Sequence, residues 1–132
     1  MNTALAIILE NEKGLHLLYR HSLEKAGFQT TIVRTEDQFL QLVHTHTPDL
    51  VLFDLATITS ARQDAFQQLH RLVQYPRTQV VVTSTTPGHG QNLPSHYEFF
   101  LKPVRPAAIK KLAAQVMMRS VMLDMVNEPE LV

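Results

Sequence analysis

The sequence predicts a doubly wound α/β domain, in which helices cover both faces of a five-stranded parallel sheet. Five short apolar or β-branched runs alternate with segments of helical periodicity along the chain. The run at residues 50–53 is apolar throughout, which is typical of a strand buried on both faces. The 132 residues correspond to about one domain and are enough to bury a core. Right-handed crossovers would connect the parallel strands.

The first half of the chain supplies three strands and two helices. Residues 4–9 predict the first strand, and the segment LHLLYRHSLEKAG that follows predicts a helix ended by Gly27. Residues 28–33 are rich in β-branched side chains and predict the second strand. Thr35 is a suitable cap for a second helix, EDQFLQLVHTH, which must end before Pro48. The third strand follows at residues 50–53.

The second half continues the alternation with one exception. We expect a third helix at residues 61–74, a fourth strand at 79–83 and a fifth at 98–101. The segment STTPGHGQNLPSHY between the last two strands contains two glycines and two prolines, so the helix expected there is short or missing. A long last helix runs from Arg105 to about Val126, with Pro106 in its first turn.

The composition limits the classes of function. The 12 Lys and Arg residues balance the 12 Asp and Glu residues, so no basic field would attract nucleic acid or an anionic membrane. The absence of cysteine excludes disulfides and thiol catalysis. No apolar run approaches ~18 residues, and the N-terminal segment has no signal-peptide pattern. We therefore expect a cytoplasmic protein that contacts neither nucleic acid nor a membrane.

Polar residues follow four of the five predicted strands. They are Glu10, Asn11, Glu12, Asp54, Thr83 and Lys102. The carboxyl ends of the strands in a doubly wound sheet meet at one rim, so these side chains should lie close together. Carboxylate and amide oxygens suit Mg²⁺, whereas an ammonium group and a hydroxyl suit phosphate oxygens. The rim is a candidate site for a cation and a phosphoryl group, although Asp54 alone could equally be a loop or helix-capping residue.

With these residues in place, the chain resembles a response-regulator receiver domain, the CheY-like module of two-component signalling. The matching segments are AIILENE, LVLFD, VVVTS and FFLKP, and the resemblance covers roughly residues 3–118. It implies the strand order 2-1-3-4-5. On this interpretation residues 1–118 form the receiver-like domain, and residues 119–132 extend the last helix and form a tail.

The resemblance also implies a role for each site residue. Asp54 would accept a phosphoryl group from a histidine kinase or a phosphotransfer protein. Lys102 would contact that group and Thr83 would form a hydrogen bond to it. Phe99, together with Thr83, would be a switch residue that changes the signalling surface.

The metal site departs from the family pattern. The ligands of Mg²⁺ that the resemblance implies are Glu10, Asn11, Asp54 and the backbone carbonyl of Ala56. Family members usually carry two adjacent aspartates after the first strand, whereas this chain has a glutamate and a neutral amide, which should weaken Mg²⁺ binding. Thr57 and Ile58 replace the usual Met-Pro after the acceptor. An alternative interpretation is a pseudo-receiver that acts through protein contacts without phosphorylation.

The histidines do not indicate a metal centre. His44 and His46 are two apart on a predicted helix, so their side chains should point in different directions. His89 and His96 lie in the segment rich in Gly and Pro and are expected to be surface loop residues.

Two enzyme classes that use similar sheets are disfavoured. A flavin site would require a loop rich in Gly, Ser and Thr after the first strand, and the acidic ENEKG stands there instead. A nucleophilic hydrolase requires a base beside its nucleophile, and no histidine is expected at the rim beside the hydroxyls of Thr83 or Ser84. We therefore do not expect catalysis on a separate substrate.

The last helix carries more apolar surface than one core-facing stripe requires. Its expected core stripe consists of Ile109, Leu112, Ala113 and Val116. Further apolar residues follow: Met117, Met118, Val121, Met122, Met125 and Val126. These side chains either fold back over the segment where a helix is missing or form a surface for a homodimer or another partner, and Met-rich surfaces favour the second interpretation.

Overall fold

The computed structural model describes residues 3–57, 62–73 and 75–127. The strands are β1 (Leu5–Leu9), β2 (Gln29–Val33), β3 (Leu50–Asp54), β4 (Gln79–Ser84) and β5 (Glu98–Leu101). The helices are α1 (Lys13–Lys25), α2 (Glu36–Thr45), α3 (Arg62–Leu72) and α4 (Pro106–Asn127). The predicted elements are confirmed, with bounds shifted by one or two residues. The ends predicted for the third helix, residues 61 and 74, lie outside the described residues.

The five strands form one parallel sheet in the order β2-β1-β3-β4-β5, as predicted. Every residue of the central strand β3 is buried, because helices pack on both of its faces. The register pairs Asp54 with Thr83, so that the ends of β3 and β4 are level with each other. The fold therefore places the polar ends of several strands at one rim.

Two hydrophobic clusters fill the spaces between the sheet and its helices. One contains Tyr19 and Leu23 of α1 together with the predicted core stripe of α4, which is buried as expected. The other contains Phe39 of α2 and Leu69 of α3, and the Phe39 ring lies 5.9 Å from the Phe53 ring of β3. Helices therefore cover both faces of the sheet, as the alternation of elements requires.

The residues predicted to end α1 and to begin α2 have the expected local structure. Gly27 follows α1 with a φ of 106°, a conformation that favours glycine over residues with a side chain. Thr35 caps α2, because its hydroxyl accepts a hydrogen bond from the Gln38 amide at 3.3 Å. Both positions were predicted from the sequence and are confirmed.

A single 3₁₀ turn, Pro87–Gly90, replaces the helix expected between β4 and β5. The prediction that this helix is short or missing is confirmed. The turn packs closely on β5, since a Cβ atom added at Gly90 would lie 2.8 Å from the Phe99 ring. Any side chain at this position would displace the ring, and this contact fixes the distance between the turn and the sheet.

The buried carboxylate of Asp49 links α4 to the amino-terminal ends of the strands. Asp49 precedes β3, and its Oδ2 accepts a hydrogen bond from the Leu5 amide at 2.9 Å. Its Oδ1 accepts a hydrogen bond from the Ser120 hydroxyl at 2.6 Å and lies 3.5 Å from Arg77 Nε. Arg77 also pairs with Asp124 of α4 at 2.6 Å. This aspartate therefore joins three distant segments, a role that was not predicted from the sequence.

The helix α4 continues without interruption from Pro106 to Asn127, and residues 128–132 lie outside the described range. Of its further apolar residues, Met117 packs against the first hydrophobic cluster, whereas the other five do not fold back over the domain. Met118, Met122 and Met125 are 66%, 59% and 68% exposed, and Val121 and Val126 are exposed as well. The fold-back interpretation is therefore wrong for these five side chains, because they are exposed. None of the described helices is long and apolar enough to cross a membrane.

Candidate functional site

A cleft of about 570 Å³ opens at the carboxyl ends of the strands. Its walls come from the segments that follow β1, β3, β4 and β5, which meet at this rim because the sheet is parallel. Its lining includes Glu10, Asn11, Glu12, Asp54, Ala56, Ser84, His89 and Lys102. The structure therefore brings the predicted acids, amide and ammonium group to a single site.

Lys102 joins the two buried acids of the cleft. Its Nζ lies 3.0 Å from Glu10 Oε1 and 3.2 Å from Asp54 Oδ1, and 3.8 Å from the more exposed Glu12. Burial alone would lower the pKa of Lys102, but the hydrogen bonds and charges of Glu10 and Asp54 outweigh it and raise the pKa. The ammonium group is therefore held charged and fixed at the rim.

Glu10 is almost completely buried at the end of β1. Its Oε2 accepts hydrogen bonds from the backbone amides of Asn11 and Glu12, at 3.1 and 3.3 Å. Its Oε1 pairs with Lys102 Nζ at 3.0 Å and has no further hydrogen-bond partner among the described residues. The longer side chain of a glutamate thus folds back on its own loop and keeps one oxygen directed at the cation of the site.

Thr83 connects the acceptor candidate to the interior of the domain. Its hydroxyl donates a hydrogen bond to Asp54 Oδ1 at 3.2 Å, as the paired register of β3 and β4 allows. The fully buried Tyr19 lies beneath this pair, and burial, followed by the charges of Glu10 and Asp54, raises the pKa of its hydroxyl. Tyr19 is therefore neutral at physiological pH. Its position beside Thr83 was not predicted from the sequence.

The segment after Asp54 forms a 3₁₀ turn, Leu55–Thr57. The Thr57 hydroxyl donates a hydrogen bond to the backbone carbonyl of Asp54 at 2.5 Å, which closes the turn, and Ala56 lines the cleft as predicted. Ile58, the second residue of the departure from the usual Met-Pro, lies outside the described residues.

The types of donor atom in the cleft suit Mg²⁺, but the cleft offers fewer negatively charged ligands than the family pattern, because Asn11 is neutral. Glu10, Asp54, the Asn11 amide and the Ala56 segment all line the cleft, and oxygen donors of these types are the ligands that Mg²⁺ takes. The buried Glu10 Oε1 has a free acceptor direction. However, no group of three or more acidic or histidine side chains in the described part of the chain is arranged to hold a metal ion. A cation would also compete with Lys102 for both carboxylates.

Phe99 lies on β5 opposite Val82 and packs against the second hydrophobic cluster and Gly90. It is partly buried, so its ring contacts both the core and the 3₁₀ turn at the rim. This position is compatible with the predicted switch role, which stays a prediction.

One polar pair at the rim contradicts the sequence analysis. His89 was expected to be a surface loop residue, and no histidine was expected beside Ser84. Instead, His89 Nδ1 lies 2.7 Å from the Ser84 hydroxyl oxygen, and the half-buried ring lines the cleft. The expectation failed because the 3₁₀ turn reverses the chain within five residues of Ser84. The PGHG segment is the signal that could have revealed this contact, since its prolyl and glycyl residues favour a tight reversal.

His96 also differs from the expectation of a surface loop residue. Its ring is half-buried and lies 4.6 Å from the Tyr75 ring and 5.1 Å from the Tyr97 ring. It belongs to an aromatic cluster at the opposite end of β5 and does not line the cleft.

Comparisons with solved structures identify the fold. A CheY-like receiver domain from Methylobacillus flagellatus is 22% identical, with a TM-score of 0.68 over 87% of this chain and 99% of that chain. A signal receiver domain from Vibrio parahaemolyticus is 18% identical, with a TM-score of 0.79 over 97% of this chain and 100% of that chain. The receiver domain of a sensor histidine kinase from Pseudomonas aeruginosa PAO1 is 13% identical, with a TM-score of 0.70 over 89% of this chain and 99% of that chain. That structure has a magnesium ion coordinated in its active-site cleft.

These similarities show that the chain has the fold of CheY-like receiver domains, as the resemblance predicted. No protein-family model matches the sequence, and no curated protein matches it.

Proposed function

We propose that this chain is a receiver domain whose Asp54 accepts a phosphoryl group from the phosphohistidine of a histidine kinase or a phosphotransfer protein. The observation that supports the proposal is the cluster of Asp54, Thr83 and Lys102, which come from three separate strand ends. Both the hydroxyl and the ammonium group lie 3.2 Å from the same carboxylate oxygen. A carboxylate with a hydroxyl and a fixed cation beside it has the groups that a bound phosphoryl group requires.

The transfer follows from these groups. A carboxylate oxygen of Asp54 attacks phosphorus, the bond from phosphorus to the donor's imidazole nitrogen breaks, and that nitrogen keeps the electron pair. Lys102 neutralises negative charge on the phosphoryl oxygens, since its ammonium group is already at the acceptor. The Thr83 hydroxyl is then free to exchange its bond to Asp54 for one to a phosphoryl oxygen.

Mg²⁺ would be held by Glu10, Asp54, Asn11 and the Ala56 carbonyl, and when bound it would offset negative charge on the carboxylates and on the phosphoryl group. Because Asn11 carries no charge, we expect this affinity to be lower than in a site with two aspartates.

The signal would be a conformational change that spreads from the rim along β4 and β5. A movement of Thr83 towards a phosphoryl group would remove its bond to Asp54, and Phe99 lies on the neighbouring strand against the 3₁₀ turn. The domain would act in the cytoplasm through protein contacts, rather than as an enzyme on a separate substrate. The balance of 12 basic and 12 acidic residues supports contacts with proteins rather than with nucleic acid or a membrane.

Intact mass spectrometry after incubation with acetyl phosphate and Mg²⁺ tests the proposal. We expect the wild-type protein to gain one phosphoryl group and Asp54→Asn to gain none, because an amide oxygen does not form an acyl phosphate. The matched control is Asp37→Asn on the exposed first turn of α2, which should gain the group as the wild type does. An unmodified wild-type protein would contradict the proposal.

A pseudo-receiver is the second candidate. It is favoured because few negative charges in the cleft are available to a metal ion. Lys102 already pairs with both buried carboxylates, and Asn11 stands where the family pattern has an aspartate. A domain of this kind would keep the fold and signal through protein contacts alone. The same mass measurement separates the two candidates, because a pseudo-receiver would gain no phosphoryl group.

We further propose that the exposed apolar stripe of α4, defined by Met118, Val121, Met122, Met125 and Val126, forms a homodimer interface. Burial of this stripe against a second copy would remove a few hundred Å² of apolar surface from water. At ~25 cal/mol per Å² this is worth several kcal/mol before the costs of association.

The double variant Val121→Glu with Met125→Glu tests the interface by analytical ultracentrifugation. We expect the wild type to sediment as a dimer and the variant as a folded monomer, since two carboxylates on each copy would be desolvated in the interface. The control variant Gln41→Glu with His44→Glu adds two carboxylates to exposed positions of α2, on the other face of the sheet from α4, and should stay dimeric. A wild-type protein that remains monomeric at high concentration would contradict the dimer.

A further inference from the structure

The pair formed by Ser84 and His89 lies in the acceptor cleft and has no part in the function proposed above. Ser84 is the last residue of β4, directly after Thr83, and His89 lies on the 3₁₀ turn that follows. His89 Nδ1 lies 2.7 Å from Ser84 Oγ, and both residues line the cleft together with Asp54. A histidine ring therefore lines the same cleft as the proposed phosphoryl acceptor.

The hydrogen bonds of Ser84 hold the ring of His89 in place. Ser84 Oγ accepts a hydrogen bond from the Thr86 amide at 3.0 Å, which occupies one of its two acceptor positions. Ser84 Oγ and His89 Nδ1 share a second hydrogen bond, in which Nδ1 is the donor in one tautomer of the ring and the acceptor in the other. When Nδ1 carries the proton, Nε2 carries a lone pair, and the described residues offer Nε2 no hydrogen-bond partner. The ring thus presents a base while its other nitrogen fixes its position.

We propose that His89 is the general base that removes the phosphoryl group from Asp54 by hydrolysis, an inference that rests on the phosphorylation proposed above. A water oxygen attacks phosphorus while one of the water protons moves to His89 Nε2. The bond between phosphorus and the Asp54 oxygen breaks, and its electron pair returns to the carboxylate. Inorganic phosphate leaves, and His89 releases its proton to solvent. Ser84 is a positioning residue that acts through the ring.

Charged groups lie on both sides of His89. The cleft side carries the carboxylates of Glu10, Glu12 and Asp54 and the ammonium group of Lys102, an excess of negative charge. On its other side His89 lines an open groove of about 800 Å³, to which α3 contributes Arg71 and His70. The phosphoryl group would add further negative charge on the cleft side.

The rate at which the phosphorylated protein loses its phosphoryl group tests this inference. The wild type, His89→Gln and Ser84→Ala are incubated with acetyl phosphate, the donor is removed, and intact mass is followed over time between pH 5.5 and 8. We expect His89→Gln to lose the group at least about tenfold more slowly, since general bases contribute factors of this size or more. Ser84→Ala should show a smaller slowing.

His96→Gln is the matched control, because His96 lies in the aromatic cluster outside the cleft and should leave the rate unchanged. If His89→Gln loses the group within twofold of the wild-type rate, the inference is overturned and the phosphorylation of Asp54 stands. If neither protein gains a phosphoryl group, both proposals are overturned together.

Discussion

Replacement of Asp49 by alanine is expected to lower the free energy of unfolding by roughly 3 kcal/mol, the scale for removing a buried carboxylate from its donors. The Leu5 amide and the Ser120 hydroxyl would each lose an acceptor, and Arg77 would lose one of its two carboxylate partners. These donors come from β1, α4 and the segment before β4, so one substitution weakens three junctions of the domain. The melting temperature should fall by roughly 10 °C in a calorimetric or circular dichroism scan.

Two variants isolate the cause of this loss. Asp49→Asn keeps an acceptor oxygen of similar size and should lose less stability than the alanine variant. Asp37→Ala removes an exposed carboxylate from the first turn of α2 and should cost no more than about 1 kcal/mol. If Asp49→Ala is as stable as Asp37→Ala, the buried junction does not hold α4 to the sheet.

Lys102→Met should lower the free energy of unfolding by roughly 2 kcal/mol at pH 7. The substitution leaves Glu10 and Asp54, two buried carboxylates, without the cation that lies within 3.2 Å of both. Loss of one member of a buried ion pair typically costs about 3–5 kcal/mol, and the open cleft reduces this value because water reaches the site. Urea unfolding monitored by circular dichroism measures the difference. Lys110→Met, which removes an exposed ammonium group from α4, is the matched control and should change stability by less than about 0.5 kcal/mol.

The pH dependence of the same variant follows from the raised pKa of Lys102. A lysine whose pKa is higher in the folded state stabilises the protein fully below its unfolded pKa of about 10.4. The contribution is lost as the pH rises through the folded value. The difference in stability between wild type and Lys102→Met should therefore be largest near neutral pH and should shrink above about pH 10.5. A difference that is constant through this range would show that the charge of Lys102 is not what stabilises the site.

The sheet and the rim were predictable because they depend on local patterns. The apolar run at residues 50–53 and the alternation of strands and helices indicate parallel topology, and parallel topology alone brings Asp54 and Lys102 to one edge. The weak helix between β4 and β5 followed from two glycines and two prolines in one segment.

The features that the sequence did not reveal depend on contacts between distant residues. Asp49 and Ser120 are 71 positions apart, and no periodicity relates them. The contact of His89 with Ser84 depends on the curvature of one 3₁₀ turn, which composition does not specify. The exposure of Met122 was undecided for the same reason, since only packing distinguishes a helix face that covers a gap from one that faces solvent.

The most direct test of the account is to locate the phosphoryl group on the chain. The wild-type protein is treated with acetyl phosphate and Mg²⁺, acyl phosphates are reduced with borohydride, and the modified residue is identified by peptide mass spectrometry. The cluster of Asp54 with Thr83 and Lys102 predicts that Asp54 is the residue converted to its reduced alcohol form. Modification of Glu10 or another residue in place of Asp54, or no modified residue at all, would contradict the account.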